Sequence, residues 1–299
     1  MTAGVDCNEI FGILGESVSS HVRGRPDDAT ITAVRAQLAD YFATKETKRA
    51  VLGIDIYQYG RMPRITQDLV PCIFKTLYEE AKRLACASEP TLFRREDARI
   101  FIPTGDGGFQ VFPTPLHAII FSVFFEWFLA AFNSYNFLPR MRAALQRVLT
   151  VRYALTYDTF FEQDANVYGA AIINGARIMA RDKLNRFLVD EHTIEWFRET
   201  MISPESLATL RLEDLKGFAP ERPNTRSVSA SELFGGHREG QGVRTVHVQK
   251  IGAVTSKEST LDVYSIMLQV AVARRSLGPE PHGTAIVTVG NLNASGLVE

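Results

Sequence analysis

Residues 98–114, ARIFIPTGDGGFQVFPT, set two strand-like runs on either side of Gly105-Asp106-Gly107-Gly108. Glycines supply backbone geometries that other residues avoid, so this segment reads as a tight β-hairpin with Asp106 at its tip. Upstream, AVLGIDIYQYG over 50–60 is a short apolar run rich in β-formers, ending in Gly60 just ahead of Arg61 and Pro63. It predicts a buried strand closed by a tight turn. Between the two, residues 65–86 carry helical spacing, with Pro71 as an early kink.

The same reading continues downstream. A helix is expected over 115–132, with Pro115 near its start, where a missing N–H costs nothing. TVRYALTYDTFF, 150–161, reads as a strand, GAAIINGARIMARD, 169–182, as a helix, and RFLVDEHTIEWFRE, 186–199, as a strand passing into a helix. The order β-α-β-β-α-β-α-β is an α+β pattern, a mixed or antiparallel sheet flanked by helices, and not the regular alternation of a dinucleotide-binding fold. Residues 1–47 look helical and peripheral, with Asp27 and Asp28 as candidate caps. A main domain is expected at 48–217. Residues 218–242, rich in Pro, Gly and Ser, read as a linker or long loop, and a small β-rich module follows at 243–299.

Several function classes find no support. The formal net charge is -1, so the whole-chain field gives no reason to expect a nucleic-acid or membrane partner. The N-terminus is acidic and lacks a long apolar core, unlike a signal peptide. The apolar run 118–132 is short for a bilayer and carries Glu126, which favours a core or dimer-interface helix. A soluble protein resident in the cytoplasm is the expectation. Cys7, Cys72 and Cys86 match no metal-binding spacing and are expected as buried thiols. The six histidines show no HxH or HExxH spacing, and neither a GxxxxGK[ST] loop nor a serine nucleophile elbow is present.

Two carboxylates remain. Asp55 lies inside an apolar strand, where a lone Asp is costly to bury unless it is paired or binds a metal. Asp106 lies at the hairpin tip. On adjacent strands the two can share hard cations of the Mg²⁺ or Mn²⁺ type. Their plainer roles are a hydrogen-bonded strand-end Asp and a turn-forming Asp before Gly.

GIDIYQYG, TGDGGFQVF and NVYGAAIINGARI, in this order, resemble three signature segments of the class III adenylyl and guanylyl cyclase catalytic domain. VRYALTYDTFF stands where that family has an Arg-containing strand. The resemblance covers residues 48–200 or so and implies a ferredoxin-like catalytic domain at 48–217. It implies two divalent ions, Mn²⁺ or Mg²⁺, held by Asp55, Asp106 and the backbone of Ile56. It implies a triphosphate wrapped by Ile56, Tyr57, Gln58, Tyr59 and Gly60. The family's charge-stabilising Arg, supplied by the partner subunit, stands eight residues after a motif Gly, which from Gly169 is Arg177. Arg152 is a further candidate for phosphate contact, or for a structural role in its strand. The ribose-orienting Asn belongs four residues after that Gly, where this chain has Ile173, with Asn174 displaced by one. Metals and Arg177 would come from different chains, so the implied enzyme is a homodimer with shared sites.

In adenylyl cyclases the two base-reading positions hold Lys and Asp. Here they are Ile102 and Asn166, and the guanylyl pair is absent too. The resemblance then narrows to the Pycsar pyrimidine cyclases of bacterial anti-phage defence. It implies UTP as substrate and cyclic UMP as product, acting on a separate cyclic-nucleotide-sensing effector. The readings left open are a cytidylate cyclase and a cyclase-like domain that binds nucleotide without turnover. Asn166 fits either pyrimidine edge, because a side-chain amide rotates to serve both. Tyr57 and Tyr59 either narrow the pocket against a two-ring base or belong to the core.

Overall fold

The computed structural model describes residues 4–15, 26–88, 93, 99–163, 166–201, 204, 242–255, 260–273 and 284–297. Two helices come first, α1 (Cys7–Leu14) and α2 (Asp28–Lys45). Asp27 caps α2, accepting from the Thr30 amide at 2.7 Å. Then follow β1 (Thr47–Ile56), α3 (Arg64–Ser88), β2 (Phe101–Pro103), β3 (Gly107–Phe112), α4 (Pro115–Asn133), α5 (Pro139–Leu145) and β4 (Val151–Gln163). Next come β5 (Asn166–Tyr168), α6 (Ala170–Arg181), β6 (Phe187–Asp190) and α7 (Glu191–Met201). The last elements are β7 (Gly242–Thr255), β8 (Thr260–Ala273) and β9 (Thr284–Val289).

The strands form one mixed sheet in the order β2-β3-β1-β4-β6-β8-β7, with β5 added to β4 and β9 to β8. The β4–β6 pair is parallel and the others are antiparallel. The run β1-α3-β2-β3-α4-β4, with its strands in the order β2-β3-β1-β4, is the split βαβ arrangement of ferredoxin-like domains. The β-rich C-terminal region extends this same sheet from β6. The expected linker lies outside the described residues except for Gly242, where β7 opens.

Strand alternation sorts the side chains into two layers. Ala50, Leu52, Ile54 and Ile56 of β1 and Val151, Tyr153 and Leu155 of β4 join the main core with α3 and α4. Val51 and Ala154 face the other way, toward Ala171 and Ile178 of α6. Helix α4 is the central core helix. It is long and apolar enough to cross a membrane by length and composition, beyond what the shorter run 118–132 suggested, yet 89% of its most apolar window is buried inside the molecule. The cysteines form no disulfide, but they are not the buried thiols expected. Cys72 is exposed and Cys7 and Cys86 are half-buried, because their helices turn those positions toward the surface.

Candidate active site

Asp55 has the parity of Val51 and Gly53, so it falls on the sheet face that α6 covers. That helix comes in close: a Cβ at Gly53 would stand 2.4 Å from the Met179 sulfur. In register, Asp55 lies between Gly107 of β3 and Arg152 of β4. The hairpin is drawn tightly against β1. A Cβ at Gly107 would stand 2.1 Å from the Ile54 carbonyl oxygen, and Gly105 takes a positive φ of 102° at the turn. The Ile56 amide donates to the Asp106 carbonyl at 3.3 Å, which fixes the tip beside the end of β1.

The two carboxylates are thereby brought together. Burial first, and the neighbouring Asp55 charge second, push the Asp106 carboxyl up to about 6. Arg152 supplies one positive charge: its Nε donates to Asp55 Oδ2 at 2.6 Å, while Nη1 donates to the Met179 carbonyl at 3.0 Å and the Asp182 carbonyl at 2.6 Å. Two adjacent carboxylates, one held toward its protonated form by burial and by the other's charge, are a donor set suited to a hard divalent cation. Among the described residues no group of three His, Cys, Asp or Glu side chains converges in a metal-holding cluster, so further ligands would come from backbone, water or substrate.

The turn after β1 is partly committed. The Ile56 amide serves Asp106 and the Tyr57 amide donates to the Thr150 carbonyl at 2.9 Å. Neither can also serve a phosphate without giving up that bond. Gln58 takes a left-handed conformation with φ 60°, and a short 3₁₀ turn follows over Tyr59–Arg61. Both tyrosines are tethered by their hydroxyls, Tyr57 to the Lys183 carbonyl and Tyr59 to the Gln67 carbonyl, each at 3.1 Å. Tyr59 packs on the main core, whereas Tyr57 stays half-buried above the turn.

The remaining predicted residues lie elsewhere. Ile102 is half-buried on β2 opposite Phe109, and Asn166 is exposed on β5. Arg177 is exposed on α6, and Ile173, one turn before it, is 50% exposed on the same side of the helix. Asn174 lies between them in sequence, and its Nδ2 donates to Asp158 Oδ2 at 3.4 Å. Arg177 Nη1 donates to the Asn174 side-chain Oδ1 at 3.4 Å. Among the described residues neither Asn174 nor Arg177 makes a hydrogen bond or ion pair to Asp55, Asp106 or Arg152.

Sequence reasoning missed two polar groups on the α6 side. Asp158, Asp190 and His192 form one, with His192 Nδ1 3.4 Å from Asp158 and 3.9 Å from Asp190. Burial pushes the Asp190 carboxyl up to about 6. Asp182 and Arg186 form the other, a buried ion pair at 2.8 Å. Asp158 and Asp190 carried the same signal as Asp55, an Asp in an apolar strand.

No family model and no curated protein sequence matches the chain. Several solved structures resemble it at low identity. The guanylate cyclase domain of RhGC from Catenaria anguillulae, in complex with GTP, is 12% identical, with a TM-score of 0.43 over 74% of this chain and 97% of that one. The adenylyl cyclase CyaB from P. aeruginosa is 13% identical, with a TM-score of 0.40 over 78% of this chain and 98% of that one. An adenylate/guanylate cyclase/hydrolase from Silicibacter pomeroyi is 13% identical, with a TM-score of 0.38 over 74% and 96%. Likeness at this level assigns no substrate.

Proposed function

We infer that the chain is a nucleotidyl cyclase of the class III type that converts UTP to 3′,5′-cyclic UMP and pyrophosphate. The observation that carries this reading is the convergence of Asp55 and Asp106 at the end of β1, set by the β1–β3 register and braced by Arg152. Asp55, Asp106 and the Ile56 carbonyl would hold Mn²⁺ or Mg²⁺. When bound, these ions neutralise the triphosphate and make the ribose 3′-hydroxyl more acidic. The turn Gln58–Gly60 receives the phosphates, and Arg152 stands within the same polar cluster to meet their charge. The 3′-oxygen forms a bond to the α-phosphorus, the bond to the β-phosphate oxygen breaks, pyrophosphate leaves, and the hydroxyl proton passes to solvent.

Arg177, exposed on α6, is suited to a site on a second copy of the chain, where it would meet charge building on the α-phosphate. The assembly is then a homodimer with two shared sites. Ile102 offers no hydrogen bond to a purine edge, while Asn166 is free to serve a pyrimidine. In this reading the product acts in the cytoplasm on a separate effector in anti-phage defence. A second reading, nucleotide binding without turnover, is favoured by one observation: the Asn174 side chain is already engaged, donating to Asp158 and accepting from Arg177.

The test is product identification. The purified protein is incubated with Mn²⁺ and equimolar ATP, GTP, CTP and UTP, and the products are resolved by mass spectrometry. Cyclic UMP is expected. Cyclic CMP would move the base assignment, a purine product would overturn the pyrimidine reading, and binding without any product would favour the second reading.

A further inference from the structure

The turn between α6 and β6 touches three things at once. The Asp182 carbonyl accepts from Arg152, which holds Asp55. The Lys183 carbonyl accepts from the Tyr57 hydroxyl. The Arg186 carbonyl accepts from the Tyr153 amide at 2.8 Å, next to Arg152 on β4. The turn is thus the backing of both the carboxylate site and the loop after β1.

What holds the turn itself is distant in sequence. Arg186 is 1% exposed. Its Nε and Nη2 take Asp182 Oδ1 at 3.1 and 2.8 Å, and that oxygen also accepts from the Leu184 amide at 3.2 Å. Among the described residues its Nη1 donates to two backbone carbonyls, those of Asn293 and Ser295. These belong to a non-helical strap, 291–297, that follows β9. The strap is shaped by its own side chains: Asn291 and Asn293 each accept from the amide two residues on, at 2.9 and 3.0 Å. It is fastened at both ends. Asn291 donates to the Asn185 carbonyl at 2.8 Å, and Leu297 packs against the second core cluster, as Met179 does. Met179 is also the residue whose carbonyl accepts from Arg152.

A buried guanidinium stripped of its acceptors leaves unsatisfied N–H groups, which a turn of this kind relieves by moving. We propose that the strap 291–297 is a positioning element of the Asp55–Asp106 site, acting through Arg186 and the 182–186 turn on Arg152 and Tyr57. The proposal deepens the cyclase reading by naming what sets the geometry of that site, and it rests on that reading only where cation binding is concerned. Loss of such outer support to a metal site lowers metal affinity by about 10- to 100-fold.

The test uses two variants of the full chain, Leu297→Ala and a truncation after Gly290, with no nucleotide present. Hydrogen exchange is followed at the Ile56, Tyr57 and Tyr153 amides, and Mn²⁺ binding is followed by the electron-paramagnetic signal of the free ion. Amides in the middle of α4 report whether the fold is intact. The expected result is exchange about tenfold faster at the three site amides and Mn²⁺ affinity about tenfold weaker, with α4 protection unchanged. Unchanged exchange at the site amides in a folded variant would overturn the proposal. Should the truncation fail to fold, Leu297→Ala decides alone. Should the unaltered protein bind no Mn²⁺, the cation reading fails, and the exchange contrast still decides whether the strap positions the site.

Discussion

Burial first, and the Asp55 carboxylate alongside second, disfavour the charged form of Asp106. Its carboxyl is pushed up to about 6, so between an ordinary carboxyl value of 3.8 and that point the folded chain binds more protons than the unfolded one. Stability from this group is therefore present at low pH and lost as pH rises through about 6. Asp106→Asn carries no charge to repel Asp55. After allowance for solvent screening, it should stabilise the cation-free protein by about 1 kcal/mol at pH 7.5 while abolishing turnover. Thermal unfolding with and without chelator checks this, and a lower melting temperature in the variant would contradict it. Asp55 was legible as a candidate because it is an Asp inside an apolar strand, and Asp106, an ordinary turn residue by itself, because TGDGGFQVF resembles a family signature segment. The Arg152–Asp55 pair was not, since it depends on the antiparallel register of strands whose paired residues lie 97 positions apart. The Asp182–Arg186 pair is local, but the carbonyls that Arg186 also donates to lie on the strap, more than 100 positions downstream.

The element that matters most is the hairpin. Because a Cβ at Gly107 would stand 2.1 Å from the Ile54 carbonyl oxygen, Gly107→Ala forces β3 away from β1. It should cost about 3 kcal/mol or more and weaken Mn²⁺ binding together with stability. Gly60→Ala, with open space around the added methyl, should leave the melting temperature within about 2 °C of the native value. Equal destabilisation of the two, measured by thermal unfolding, would contradict the close approach. Glycine spacing made this hairpin readable, and a short apolar run rich in β-formers made β1 readable. Helix α5, by contrast, is only 7 residues long and carried no recognised signal. How tightly α6 packs on β1 was equally hidden, because it rests on a glycine, Gly53, that any strand reading passes over.

At the scale of the molecule, burial raises two more carboxyls, Glu126 to about 7 and Asp190 to about 6. Glu126 is partly covered on α4 and accepts from the Tyr153 hydroxyl at 3.0 Å. Both shifts have the same sign as that of Asp106, so the cation-free protein should be more stable near pH 5 than near pH 8. Glu126→Gln should flatten the part of that decline between pH 5 and 7, read from melting curves across pH. The proposed dimer makes a separate demand. Asp106→Asn and Arg177→Ala should each be inactive alone, yet mixing and re-equilibrating them should restore about a quarter of native activity, because mixed dimers carry one complete site. No recovery, with mixed dimers shown to form, would contradict a shared site. The central claim, that Asp55 and Asp106 serve nucleotide cyclisation, is tested most directly by counting pyrophosphate and cyclic nucleotide formed from UTP and Mn²⁺ by the native chain and by Asp55→Asn. The account predicts one pyrophosphate per cyclic UMP in the native chain and at least a hundredfold loss of both in the variant, about 3 kcal/mol or more of transition-state stabilisation. Equal turnover by Asp55→Asn, or phosphate release without a cyclic product, would contradict it.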